Sequence, residues 1–339
     1  MRESIFETML VGNQPKIFDD PARSGSAGNL RLARNRLDKG SITHEDFEQA
    51  LRATIKGTID DQIACGFDRV TDGRIRWDDP VTPFAAAHDG FTIGGLIRFF
   101  DNNVYYRRPT IDGPIRFVRS AVSDDFRFSK ELTDRPVMPS VCGPFSLAKF
   151  CVDQNYDGSL ALFEDCARLV SGELDALAQA GADWVQLDEP YLVLSPDEIG
   201  LAVDTISAAV RRPGIKTLVF TYFGSLSPVA DRIWDIPCDA IGADCVTAPG
   251  NLEILLRGPK AYGRAFGLLD ARSTRMEQPE RITQQLGRIA QADAADWPKC
   301  WITPSAALEF LPYKNAIAKM RRLSESIRQF SGVNVEQAV

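Results

Sequence analysis

Histidine is nearly missing from this chain: its 339 residues include two, His44 and His88. His44 follows Ser41 and Thr43 at the start of a helical pattern, and His88 lies in a polar stretch. Neither stands at the end of a strand-like run, so histidine-driven nucleophilic catalysis is not expected. The seven cysteines, at 65, 142, 151, 166, 238, 245 and 300, form no C-x-x-C pair. That spacing excludes a zinc ribbon and offers no disulfide framework, as in a reduced, cytoplasmic protein. No apolar run approaches membrane-spanning length, and the opening MRESIFETMLVGNQP lacks the long apolar core of a signal peptide. Positive charge is in deficit, with 39 Lys and Arg against 46 Asp and Glu, a net charge of -7. With no basic stripe interleaved with aromatics, neither nucleic acid nor an anionic membrane is an expected partner. No G-x-G-x-x-G follows an apolar run, and SGSAG at 24–28 reads as a short loop, not a dinucleotide turn.

What is present is ordinary in bulk, 44% hydrophobic and 25% charged, and regular in order. Eight short apolar runs read as strands: 9–12, 69–73, 137–143, 184–188, 217–222, 240–244, 265–270 and 300–305. Amphipathic stretches such as 44–66 and 160–182 lie between them, with apolar residues at three- and four-residue spacing. Eight strand–helix units most economically close into a single (β/α)8 TIM barrel over 1–339, with an open doubly wound sheet as the other arrangement. Residues 13–43 make a long lead-in to the first helix. Residues 75–135 are too long for one crossover and hold FTIGGLIRFF and TIDGPIRFV, which predict a β-hairpin inserted between the second and third strands.

The stretch WVQLDEPYLV, 184–193, ends a dry strand in two acids and a proline. In a barrel, the loops leaving the carboxyl ends of the strands build the site. Asp188 and Glu189 would then face a pocket; a solvated loop is the bland alternative. The other strand ends bring Gly12-Asn13, Arg74, Thr221-Tyr222, Asp244, Arg272 and Ser305 to the same mouth. Asp188 and Asp244 suit an ammonium partner or a base's role. Arg74 and Arg272 suit a carboxylate or phosphate, because the guanidinium fork matches such anions. Either arginine would otherwise pair with a neighbouring aspartate, Asp72 or Asp270.

The set VTDGR-x-R, CGPFSLA, VQLDEP, TYFGSL, DAIGADC, GLLDARS and TPSAALEFLP resembles the catalytic domain of cobalamin-independent methionine synthase, from Gly12 to about Arg322. The resemblance implies a barrel that moves a methyl group from a methyl-folate type donor to homocysteine sulfur, which a zinc ion holds as thiolate. Its zinc ligands are a histidine and a cysteine on the fifth strand, a glutamate on the sixth and a cysteine on the eighth. Here those positions fall on Thr221, Phe223, Asp244 and Ser305. Three of the four have lost a good zinc donor, so no zinc is expected. Cys245 should point to the opposite side of its strand. The resemblance also maps an amino-group acid onto Arg74, a proton-handling histidine onto Arg272 and a backbone-binding serine onto Asn13, while Asp188, an amino-group binder, is kept. These changes make the pocket more cationic and a small anionic substrate a better fit than a bare amino acid.

The residues admit three functions: a diverged methyl or alkyl transferase, a zinc-free lyase or hydrolase using Asp188 or Asp244 as base, and a silent small-molecule binder. The oligomeric state is open as well.

Overall fold

The structure is a computed structural model describing residues 5–16, 30–211, 214–292 and 294–336; the loop at 24–28 lies outside them. Seven parallel strands form one sheet: β1 (Glu7–Thr8), β4 (Ser140–Cys142), β6 (Trp184–Asp188), β7 (Lys216–Thr221), β8 (Ala240–Asp244), β9 (Gly263–Leu269) and β10 (Cys300–Pro304). Their order is β1-β10-β9-β8-β7-β6-β4. Every residue of β6, β8, β9 and β10 is buried, which is why these runs are mainly apolar instead of alternating.

The eighth barrel position is filled without a regular strand. Arg69 N donates to Thr8 O at 3.0 Å, Val70 N to Pro136 O at 3.0 Å, and Met138 N to Val70 O at 2.8 Å. Residues 69–71 thus bridge β1 and the start of β4, and Val70 pairs with Val137. The run expected over 69–73 stops early because Gly73 and Arg74 both take left-handed backbone, φ 69° and 49°. The first strand is likewise shifted, from the expected 9–12 to Glu7–Thr8. Gly12, at φ 60°, turns the chain out of the barrel there.

The amphipathic stretches are helices on the outside. His44–Ala64 starts with a capping box, in which Thr43 accepts from Asp46 N and the Asp46 side chain accepts from Thr43 N. Its Phe47, Leu51, Ile55 and Ile59 are buried against the barrel. Leu160–Gln179 packs the same way through Leu162, Leu169, Leu174 and Leu177. No helix among the described residues is long and apolar enough to cross a membrane.

The inserted hairpin consists of β2 (Asp89–Arg98) and β3 (Tyr105–Arg116), antiparallel, with β5 (Val152–Asp153) added parallel to β3. Its tip folds over the carboxyl ends of the barrel strands. Phe99 there is 2% exposed, stacks on Phe150 and Phe310, and meets Tyr106 edge-on.

Candidate active site at the barrel mouth

The centre of the mouth is an ion pair. Arg74 Nη2 lies 2.7 Å from Asp188 Oδ2, and both side chains are buried. Asp188, the last residue of β6, also accepts from Gln186 Nε2 through Oδ1 at 2.6 Å. Arg74 donates from Nε to Ser140 O at 3.2 Å, and its guanidinium sits 5.4 Å from the Trp77 ring centre. Its left-handed backbone is held by Asp72 Oδ1, which accepts from Arg74 N at 3.2 Å. Burial pushes the Asp72 carboxyl up to about 6.

Gly12 and Asn13 form the opposite wall. A Cβ on Gly12 would lie 3.0 Å from Ala307 Cβ, so that close approach and the positive φ both favour glycine. Asn13 Nδ2 donates to Glu309 Oε2 at 3.1 Å, while Asn13 Oδ1 is buried with no hydrogen-bond partner. Burial pushes the Glu309 carboxyl up, against the pull of Lys16, whose Nζ is 3.6 Å away. Residue-by-residue reading missed Glu309. Its signal was its place in the LEFLP tail, directly after the eighth strand.

The remaining site residues divide by what their polar atoms touch. Glu189 points away from the cavity and accepts from Phe145 N and Ser146 N at 3.0 and 2.8 Å. Those amides begin the helix Pro144–Phe150, and a Cβ on Gly143 would sit 2.2 Å from Glu189 Oε1. Burial pushes Glu189 up to about 7. Asp244 accepts from Val246 N and Thr247 N through Oδ1, at 2.8 and 2.9 Å, and from Phe223 N through Oδ2 at 3.4 Å. Ser305 Oγ accepts from Ala271 N at 3.1 Å. Thr221 Oγ1 is buried without a hydrogen-bond partner. Tyr222 lines the cavity, and burial raises its hydroxyl pKa well above the ordinary value.

Arg272 belongs to the rim. Its Nη2 lies 2.7 Å from Asp101 Oδ2 on the hairpin tip, and its guanidinium lies 4.9 Å from the Phe223 ring centre. The aspartates expected to neutralise the two arginines do something else. Asp72 and Asp270 both accept from the backbone amide two residues on, Arg74 N and Arg272 N. Their place is taken by Asp188 and Asp101, carboxylates far away in sequence.

Among the described residues, four non-glycines have positive φ: Arg74, Phe100, Asp157 and Phe223. Three of them meet at this mouth, with Phe100 and Phe223 in edge-to-face contact at 5.6 Å. Backbone strain of this kind persists where surrounding structure enforces it, as at ligand sites. Between Gly12, Arg74, Phe99, Asp188, Tyr222 and Glu309 the free space is about 10 Å³, room for about one water. The hairpin tip closes the mouth.

A family model described as the N-terminal domain of cobalamin-independent synthase matches residues 92–293. The match is thus to the N-terminal domain of that family, whereas the sequence motifs resemble its catalytic domain. A methionine synthase of Sulfurisphaera tokodaii is 25% identical over 318 residues, 93% of this chain and 90% of the relative. A methionine synthase of Saccharolobus solfataricus is 28% identical over 301 residues, 86% and 88% of the two chains. A solved B12-independent methionine synthase from Shewanella sp. W3-18-1, in complex with selenomethionine, superposes with a TM-score of 0.82 at 19% identity, covering 98% of this chain and 99% of that one. At that identity the likeness is one of fold.

Proposed function

Because the chain belongs to the cobalamin-independent synthase family, we propose that it is a methyltransferase-type enzyme acting on a small molecule at the barrel mouth without zinc. The observation that carries the zinc-free part is the donor set. Of Thr221, Phe223, Asp244 and Ser305, only Asp244 is a carboxylate, and backbone amides hold both its oxygens. Ser305 Oγ is engaged by Ala271 N, and Phe223 has no side-chain donor atom to offer a metal. Among the described residues no three His, Cys, Asp or Glu side chains stand together as metal ligands. These residues do not fit a zinc ion.

The chain's own groups then bind and orient. A thiol acceptor, with a pKa near 8.5, is a few per cent thiolate at neutral pH and needs placement more than activation. Tyr222, Phe99 and Phe310 give the cavity dry walls, which exclude water from the transferring group. Glu309, at the same cavity with its carboxyl pushed up by burial, is placed to hold a proton. Asp244 positions the loop after β8 and makes no contact of its own with the cavity. A methyl-folate type donor would approach once the hairpin tip moves aside. An anionic substrate group would find Arg74 Nη1, buried and without a hydrogen-bond partner.

A lyase or hydrolase that used Asp188 as base is disfavoured, because the Arg74 guanidinium beside that carboxylate favours its ionised form. The test is elemental analysis of purified protein beside an assay of methyl release from methyl-folate to a panel of thiols. Transfer without stoichiometric zinc supports the reading. Transfer that requires bound zinc overturns it.

A further inference from the structure

A buried carboxylate at the centre of a closed cavity needs a cation beside it. At Asp188 the chain supplies that cation itself. Oδ2 lies 2.7 Å from Arg74 Nη2, Oδ1 accepts from Gln186 Nε2 at 2.6 Å, and the two paired side chains are 2% and 5% exposed. Each oxygen of Asp188 already has a partner within the chain, and Arg74 supplies the positive charge that a ligand's ammonium group would otherwise bring. The guanidinium is held there by its surroundings. Arg74 reaches inward from left-handed backbone at φ 49°, directly after Gly73 at φ 69°. Asp72 accepts from Arg74 N, Thr71 Oγ1 accepts from Gly73 N at 2.7 Å, and Ser140 O accepts from Arg74 Nε.

What Arg74 itself still offers is of the other sign. Arg74 lines the cavity, and its Nη1 is buried with no hydrogen-bond partner, as is Asn13 Oδ1 on the opposite wall. Nη1 is a charged donor on a residue that lines the cavity together with the apolar rings of Tyr222, Phe99 and Phe310.

We propose that Arg74 determines the substrate class: it fills the ammonium position on Asp188 from within, so the mouth takes a ligand that brings an oxygen acceptor to Arg74 and carries no ammonium group. This inference rests on the reading of the mouth as the substrate site and narrows it. A carboxylate and an amide or other neutral carbonyl share the required acceptor, and the two are separated by the probes below.

The test is calorimetric titration with four thioethers of similar shape: methionine, 4-(methylthio)butanoate, 4-(methylthio)butanamide and 3-(methylthio)propylamine. Wild type should bind the butanoate or the butanamide at least tenfold more tightly than methionine and the amine. Arg74→Gln removes the internal cation and should reverse that order, with the amine gaining at least tenfold. Arg74→Lys keeps a charge beside Asp188 and should still exclude the amine. It also serves if Arg74→Gln does not fold, since loss of the Nη1 donor should weaken both the butanoate and the butanamide. Methionine binding to wild type as tightly as the butanoate, or equal responses of wild type and the Lys variant to all four probes, would overturn the assignment of Arg74 and leave the mouth as the site. Binding of none of the four to wild type or to either folded variant would overturn the mouth reading as well.

Discussion

Arg272 and Asp101 meet at 2.7 Å across the seam between the barrel and its inserted hairpin. Arg272 follows β9, Asp101 sits at the hairpin tip, and the aromatic pair Phe100–Phe223 packs beside them. The contact joins the barrel rim to the element that covers the cavity. Asp101 is 73% exposed, and the guanidinium beside it lowers its carboxyl pKa.

An exposed pair of this kind contributes roughly 0–1 kcal/mol and is screened by salt. Arg272→Ala and Asp101→Ala should therefore leave global unfolding almost unchanged. Local opening should increase, because the tip loses its tether. Amide hydrogen exchange over residues 99–104 should quicken in both variants, and added salt should quicken it in wild type but not in the variants. Unchanged exchange in this segment would mean that the aromatic packing alone holds the tip.

The Arg74–Asp188 pair is the buried counterpart, and its removal should behave differently. Arg74→Ala leaves an uncompensated buried carboxylate, a change that typically costs about 3–5 kcal/mol. Replacing both partners, as in Arg74→Met with Asp188→Leu, removes the charge problem and should recover most of that loss. Urea titration of the single and double variants measures the coupling. A double variant as unstable as the single one would show that the arginine's packing on Trp77, not its charge, is what matters.

Purified protein should contain far less than one zinc per chain. With methyl-folate and homocysteine it should give no measurable methionine, and it should not rescue a methionine auxotroph. The first follows from the donor set, since the positions expected to hold zinc present a threonine, a phenylalanine, an amide-bound aspartate and a serine. The other two follow from Arg74, which already supplies the cation beside Asp188 that homocysteine's ammonium group would bring. One tightly held zinc per chain, resistant to mild chelation, would show that donors elsewhere replace them.

Stability should depend on pH through two buried acids. Burial pushes Asp72 up to about 6 and Glu189 up to about 7. Between the ordinary carboxyl pKa of about 4 and those values, the folded state holds protons that the unfolded chain has released. Stability should therefore be full below about pH 4 as far as these groups are concerned, and should fall as pH rises to about 7. Asp72→Asn and Glu189→Gln should each flatten the fall in melting temperature between pH 5 and 7.5. An unchanged slope in both variants would place the dependence on other groups.

The sequence by itself carried the alternation of strands and helices, the hairpin between the second and third strands, and the residues at the strand ends. Those features are local: apolar runs buried on both faces, three- and four-residue helical spacing, and turn residues where a strand stops. Strand ends at 12, 74, 188 and 222 were legible as a common mouth because a parallel barrel gathers its carboxyl ends. What each polar side chain touches there was decided only by the fold. Asp188 and Glu189 are neighbours in sequence and opposite in use, one clasped by Arg74 at the cavity and the other accepting helix amides behind it. Asp244 looked like a base and serves as an amide acceptor. Arg272 looked like an anion clamp and holds the hairpin tip. A carboxylate or guanidinium takes its role from whichever partner lies within about 3 Å. That partner arrives through tertiary packing, from residues the local pattern does not connect.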